Sequence, residues 1–116
     1  MLARVVEEHA GAVPIAAVEG EIDASNAPEI RERLHGLLTN RSMAMVVDLS
    51  GTRYLDSAGI NLLFALGAEL EQRQQRLHLV VPPASPIARA ISITGLDSAV
   101  ATHGSRADAL ERLTPP

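Results

Sequence analysis

The chain has 116 residues, the size of one ordinary globular domain, and its 47% apolar content is enough for one continuous core. A formal net charge of −4 gives no attraction to phosphate backbones or anionic lipid, so direct nucleic-acid binding is not expected. The absence of cysteine and the 2% aromatic content exclude disulfide frameworks, thiol chemistry and base-stacking platforms. No apolar run approaches the ~20 residues of a membrane span, and no apolar leader opens the chain. We expect one small, soluble, cytoplasmic domain over residues 1–116.

The N-terminal segment predicts a β-hairpin. Residues 2–7 and 13–18 have the composition of short strands, and Gly11 between them suits the turn. Pro14 indicates that the second strand begins at or near a sheet edge, because proline cannot donate a hydrogen bond to a ladder.

Helix signals follow from residue 26. Asn26 is a favourable N-cap, Pro28 is tolerated in the first turn, and Glu29 lies three residues after the cap. Apolar residues then recur along one helical face, namely Ile30, Leu34, Leu37 and Leu38. The pattern predicts an amphipathic helix that ends at residues 39–40.

The middle of the chain predicts a buried strand and then a long helix. Residues 43–49 are almost all apolar, which is typical of a central strand covered on both faces. Residues 50–52 interrupt this run, and a helix is predicted over about 58–74. Its first half is apolar nearly all round, so it should be buried, with Ile60 and Phe64 as candidates for partial exposure at an interface.

The last third predicts a strand over 77–81, a helix that begins at Ser85-Pro86 and closes at Gly95, and a short strand over 99–102. Ser105 and Asp108 then resemble the capping box of a final helix. Strands that alternate with helices predict an α/β fold: a mixed, four- to five-stranded sheet with about four helices packed on it.

The junction between the buried strand and the long helix is the candidate site. Ser57 follows Asp56 where the chain must emerge at the surface and begin a helix. A phosphate on Ser57 would meet unpaired backbone N–H groups and the positive end of the helix dipole, and it would add about −1.5 to −2 charges beside Asp56. We therefore predict that Ser57 is a phosphoacceptor whose charge expels a bound partner. The alternative is that Asp56-Ser57 is only an N-cap pair.

Asp23 should lie at the same sheet edge as Asp56, since it also follows a strand and precedes a helix. Its alternative role is that of a turn residue that satisfies local N–H groups. The four histidines have no metal-ligand spacing, and the sequence contains neither a glycine-rich phosphate loop nor a G-x-S-x-G motif. We predict no metal, no cofactor and no catalytic residue.

Three segments together resemble the STAS domain family, in particular its stand-alone anti-sigma factor antagonists. The main one joins residues 47–50, VDLS, to residues 54–60, YLDSAGI. Residues 20–23, GEID, resemble the second signature, and residues 93–96, ITGL, resemble the third, with fitting order and spacing. There are two departures. Ala58 stands where many antagonists carry a second hydroxyl residue, and Asn61 stands where a small residue, often glycine, is common.

The resemblance implies a binding switch and not an enzyme. Such antagonists bind an anti-sigma factor, typically a serine kinase of the histidine-kinase-like ATPase fold, and thereby free a sigma factor for RNA polymerase. The kinase phosphorylates the serine directly after the aspartate, here Ser57, and a serine phosphatase reverses this. The resemblance and the helix pattern together give an expected partner-binding surface of Asp23, Asp56, Ser57, Ala58, Gly59, Ile60, Asn61 and Phe64.

Two other functions stay open at this point. The chain could be a STAS accessory subunit of a lipid or anion transport complex, in which Ser57 need not be phosphorylated. It could also be a small hydrolase with Ser57 as nucleophile, which requires a histidine within hydrogen-bond reach. The oligomeric state, a homodimer included, is left open as well.

Overall fold

The computed structural model describes residues 3–113, so Leu2 of the predicted first strand lies outside the described residues. In this range the elements are β1 (Arg4–Ala10), β2 (Val13–Ile22), α1 (Ala27–His35), β3 (Ala44–Asp48), β4 (Thr52–Leu55), α2 (Ser57–Gln72), β5 (Arg76–Val80), α3 (Ala88–Ile93), α4 (Leu96–Ala99), β6 (Ala101–His103) and α5 (Arg106–Leu113). No helix within residues 3–113 has the length and apolar character needed to cross a membrane.

The predicted α/β fold with a mixed sheet is confirmed. The strand order is β1-β2-β3-β5-β6, in which β1 is antiparallel to β2 and the other pairs are parallel. Two short elements were missed, β4 and α4. The two middle residues of β4, Arg53 and Tyr54, both face solvent, so β4 lacks an apolar alternation and is recognisable only from its pairing with β2. The last strand begins at Ala101 because α4 occupies residues 96–99.

The hairpin prediction is confirmed, with Gly11 in the turn at a φ of 62°. Pro14 pairs with His9 of β1, and the pairing of β2 with β3 starts only at Ile15. Pro14, which has no N–H to donate, therefore lies one residue before the β2–β3 ladder begins. The strand β2 itself is internal, because it lies between β1 and β3.

A change of partner along β2 shapes the functional edge of the sheet. Residues 15–17 pair with β3, whereas residues 20–22 pair with β4. The change occurs at Gly20, whose φ of 107° favours glycine and whose N–H donates to the Gly51 carbonyl at 3.0 Å. As a result the C-terminal ends of β2 and β4 lie side by side, with Ile22 opposite Leu55.

The sheet is covered on both faces. One face packs against α1, α2, α3 and α4 in a large core that contains Met45, Val47 and Leu79. The other face packs against α5 in a smaller cluster of Ile15, Val46, Val80 and Ala109. Every residue of β3 is buried, which confirms the prediction of a central strand covered on both sides.

Candidate functional site

Two helix starts meet at one edge of the sheet. The turn of residues 23–26 leads from β2 into α1, and Asp56 leads from β4 into α2. The Asp56 N–H donates to the Ile22 carbonyl at 3.2 Å, and the Ala24 N–H donates to Asp56 Oδ2, also at 3.2 Å. This confirms that Asp23 and Asp56 follow neighbouring strand ends at the same edge.

Asp56 is the N-cap of α2. Its Oδ1 accepts the N–H groups of Ala58 at 2.9 Å and Gly59 at 3.2 Å, while Oδ2 holds Ala24. A carboxylate suits this position because it satisfies amides that the helix leaves unpaired and faces the positive end of the dipole. Its three hydrogen bonds connect two chain segments that are 32 residues apart.

Ser57 is the first residue of α2 and is exposed to solvent. Within residues 3–113 its hydroxyl has no hydrogen-bond partner. One expectation needs correction: the N–H groups of Ala58 and Gly59 are already bound to Asp56, so a phosphate would not find them unpaired. The charge of a phosphate on Ser57 would therefore stay at the surface.

The turn before α1 is organised differently. The Asp23 carboxylate accepts both the N–H and the hydroxyl of Ser25, so it does satisfy local turn groups. The hydrogen bond from the Ser25 hydroxyl has the largest effect and that from the Ser25 N–H the next largest. Both lower the pKa of Asp23 below its usual value and so favour the charged carboxylate.

Asn26 occupies the N-cap position of α1, as predicted, but its side chain makes no cap hydrogen bond. The side chain instead points back to the end of β2. There Oδ1 accepts the Asp23 N–H at 3.0 Å, and Nδ2 donates to the Glu21 carbonyl at 2.8 Å. The first amide of α1 is satisfied by a main-chain group, since the Asp23 carbonyl accepts the N–H of Ala27 at 2.8 Å.

Two residues of the expected partner surface are buried. Ile60 is only 6% exposed, so the prediction of partial exposure there is wrong, whereas Phe64 is half-buried as predicted. Gly59 is also buried, and a Cβ on it would overlap Leu55 and lie 3.0 Å from Cγ2 of Ile22. The physical reason is that the first turn of α2 lies directly on the ends of β2 and β4. Ser57 and Asn61 are exposed, and Asp23, Asp56 and Ala58 are partly exposed.

An apolar groove between α1 and α2 lies next to Ser57. Small and apolar residues form most of its lining: Ala24, Ala27, Pro28, Ala58, Leu62 and Ala65. Arg31 and Asn61 add polar groups to it. The groove was not predicted from the sequence, because it depends on how two helices lie beside each other.

Tyr54 is a second feature that the sequence analysis missed. It lies on β4, opposite Glu21, and 50% of it is exposed. Exposed tyrosines are frequent anchors in protein interfaces. In the sequence, the position of Tyr54 three residues before Ser57 was the feature that could have pointed to a place near the site.

The VDLS half of the main signature has a structural role. The Asp48 carboxylate accepts the N–H and hydroxyl of Ser50 through Oδ1, at 2.9 and 2.6 Å. Its Oδ2 accepts from Arg106 of α5 at 2.9 Å, and Arg106 also pairs with Glu8 at 3.0 Å. These bonds attach α5 to the sheet and fix the turn after β3.

The histidines take no part in the site. His9 and His35 pair with Glu7 and Glu69, and His78 Nδ1 lies 3.0 Å from Nε2 of His103. The ring planes of His78 and His103 are tilted by only 19°, with centroids 5.2 Å apart, which fits two nearly coplanar rings joined edge to edge through one shared proton. Burial lowers the pKa of both rings and favours the neutral pair. The pair was not predicted because it depends on the register of β5 against β6.

Ser57 consequently lacks a histidine that could act as its base, which removes the support for a hydrolase. Within residues 3–113 no group of three or more histidine or acidic side chains could hold a metal ion.

Comparison with protein families gives a match over residues 5–102 to the family described as "Mlab, STAS domain". Two relatives are similar over most of the chain. The anti-sigma-B factor antagonist of Listeria monocytogenes is 31% identical over 83 residues, which is 72% of either chain. The anti-sigma-F factor antagonist RsfB of Mycobacterium tuberculosis is 30% identical over 105 residues, 90% of this chain and 84% of that protein.

Solved structures give the same picture. The crystal structure of an anti-sigma factor antagonist from Mycobacterium paratuberculosis superimposes with a TM-score of 0.86 at 27% identity, and covers 97% of this chain and 94% of that one. The unphosphorylated form of the anti-sigma factor antagonist SpoIIAA has a TM-score of 0.74 at 18% identity, with 94% and 95% coverage, and supports the fold alone.

Proposed function

This chain belongs to the STAS domain family, and we propose that it is an anti-sigma factor antagonist that phosphorylation of Ser57 switches off. The observation that carries the proposal is the exposed, unbonded hydroxyl of Ser57, directly after the Asp56 cap and beside the groove between α1 and α2. The names of the relatives describe regulators, and the proposed activity is binding without catalysis.

In the unphosphorylated state the site offers a partner an uncharged hydroxyl next to an apolar groove. Tyr54, three residues before Ser57, and Asn61, four residues after it, are also exposed and add to the accessible surface. We propose that an anti-sigma factor docks on this surface in the cytoplasm and so releases its sigma factor to RNA polymerase. Gly59 and Ile60 contribute by packing α2 on the sheet and not by direct contact.

Phosphorylation would change this surface by charge. The partner, which we propose is itself a serine kinase of the histidine-kinase-like ATPase fold, transfers the γ-phosphoryl group of ATP to Ser57 Oγ. The hydroxyl proton and ADP leave. The new charge of about −1.5 to −2 stands beside Asp56, whose carboxylate already holds the nearest amides. An apolar or acidic partner surface is then repelled, and a serine phosphatase restores the binding form.

The test is phosphorylation by the cognate kinase with ATP, followed by mapping of the phosphate. Wild-type protein should take up one phosphate, and Ser57→Ala should take up none. Ser25→Ala is a matched control, because Ser25 is also exposed and lies at the same sheet edge. Phosphate that persists in Ser57→Ala, or that disappears in Ser25→Ala, would contradict the assignment of the site.

Binding tests the consequence of the charge. Ser57→Asp should weaken the affinity for the anti-sigma factor about 10- to 100-fold, because a like or unpaired charge at an interface is costly. The neutral Ser57→Asn variant controls for side-chain size and should weaken binding much less. A pull-down that recovers an ATPase or permease of a transport complex, and no anti-sigma factor, would favour the accessory-subunit alternative.

A further inference from the structure

Asn26 is a buried polar residue whose position is not explained by capping. It is 8% exposed and precedes α1, yet its amide bonds no N–H of that helix. Its two hydrogen bonds go to the Asp23 N–H and the Glu21 carbonyl. A buried amide that spans five residues in this way closes the turn of residues 23–26 into a ring and removes much of its freedom.

The closed turn is in direct contact with the site. It presents the Ala24 N–H to Asp56 Oδ2, and Asp56 Oδ1 holds the first turn of α2 through Ala58. A continuous series of contacts therefore leads from Asn26 through the turn and Asp56 to the helix start that carries Ser57. The two ends are distant in sequence, so pairing of β2 with β4 is what brings them together.

We infer that Asn26 is a positioning residue for the Ser57 switch. By closing the turn it fixes the third donor of Asp56, and thereby the orientation of the carboxylate and of the neighbouring serine. This inference rests on the proposed function for its biological meaning, whereas the hydrogen-bond relay from Asn26 to Asp56 can be tested without any partner.

The partner-free experiment is amide hydrogen exchange measured by NMR on the full chain. Asn26→Ala should speed exchange of the Ala24 N–H several-fold and leave the amides of β3 unchanged. Asn40→Ala is the matched control. Asn40 is an exposed asparagine that precedes the N-terminal end of β3, and its side-chain oxygen accepts a hydrogen bond from Arg73. It should leave the Ala24 exchange rate unchanged.

The second experiment is a double-mutant cycle on phosphorylation by the cognate kinase. Asn26→Ala and Asp56→Ala should each lower kcat/KM about tenfold, an effect in the range seen for partners in one hydrogen-bond network. The kcat/KM of the double variant should be close to that of the less active single variant, since both changes break the same relay. A residue that acts independently of Asp56 would give multiplicative losses, and one that only stabilises the fold would leave kcat/KM of the folded protein unchanged. Asn26→Asp retains the acceptor for Asp23 but loses the donor to Glu21, so it should give an intermediate rate.

The outcomes separate the two proposals. Unchanged Ala24 exchange in Asn26→Ala, or multiplicative losses in the cycle, overturns the positioning role. Wild-type protein that is neither bound nor phosphorylated by an anti-sigma factor overturns the proposed function, while the exchange experiment still decides whether Asn26 orders the turn. If Asn26→Ala does not fold, Asn26→Asp replaces it in both experiments with the same expected directions.

Discussion

The starts of α1 and α2 lie at one sheet edge and each follows an aspartate, but they are stabilised in different ways. At α2 the Asp56 side chain caps the helix, and Ser57 is left with a free hydroxyl. At α1 the main-chain carbonyl of Asp23 satisfies the first amide, that of Ala27, and the Asp23 side chain accepts the Ser25 hydroxyl. Both serines are exposed, yet only Ser57 presents an unbonded oxygen. The use of the aspartate side chain therefore decides which of the two serine hydroxyls is left unbonded.

The two starts also differ in how closely they pack. The first turn of α2 contacts the strand ends so closely that a Cβ at position 59 would displace Cδ1 of Leu55 and lie 3.0 Å from Cγ2 of Ile22. In the first turn of α1, Pro28 and Glu29 are exposed, and only Ala27 and Ile30 are buried. Substitutions at the start of α2 should therefore have larger effects than comparable ones in α1.

The largest effect is expected for Gly59→Ala. The new methyl group would overlap Leu55 and press on Ile22, and overpacking of this kind costs ~1–3 kcal/mol. The higher helix propensity of alanine offsets up to about 1 kcal/mol of this. We expect urea unfolding to show a net loss of about 1–2 kcal/mol in the free energy of unfolding.

Gly36→Ala is the control for this change, since Gly36 ends α1 with an ordinary helical φ of −65°. The atoms nearest to a Cβ there are main-chain oxygens at 3.4 and 3.5 Å. The substitution should be neutral or stabilise the protein slightly. Equal destabilisation by Gly36→Ala and Gly59→Ala would contradict the difference in packing.

A smaller loss is expected for Asp56→Ala. The substitution removes the cap of Ala58 and Gly59 and the bond to Ala24, and loss of an N-cap side chain typically costs ~1 kcal/mol. Asp23→Ala should cost less, because the Asp23 carbonyl that serves α1 remains after the side chain is removed. Urea unfolding of both variants measures the difference, and a larger loss for Asp23→Ala would reverse the comparison.

The sequence was informative where the physical cause is local. A buried strand, a break and a capping pair within a dozen positions predicted a helix from about residue 58, close to the observed start at residue 57, and the surface position of Ser57. Of the predicted capping pair, only Asp56 caps the helix. The shared edge of Asp23 and Asp56 followed from the strand–helix alternation. Much of what could not be predicted depends on strand pairing. The switch of β2 from β3 to β4 and the His78–His103 contact both require the register between segments distant in the chain. The inward turn of Asn26 involves only residues 21–26, but its N-cap pattern predicts a bond to the helix and not to the strand end.

The smallest effect concerns the charge of Asp23. Its pKa lies below the usual value, first because the Ser25 hydroxyl donates to the carboxylate. The folded protein thus binds this proton less readily than the unfolded chain, so the stabilising contribution is present above the unfolded pKa of 3.8 and is lost as the pH falls through the folded value. Ser25→Ala keeps the backbone donor and removes the hydroxyl, so the pKa should rise part of the way to 3.8. Titration of the Asp23 carboxyl carbon by NMR measures this directly. Ser57→Ala should leave the same titration unchanged, because Ser57 donates no hydrogen bond to Asp23. An equal shift in both variants would mean that the two helix starts share one charge network, and the free hydroxyl of Ser57 would no longer set them apart.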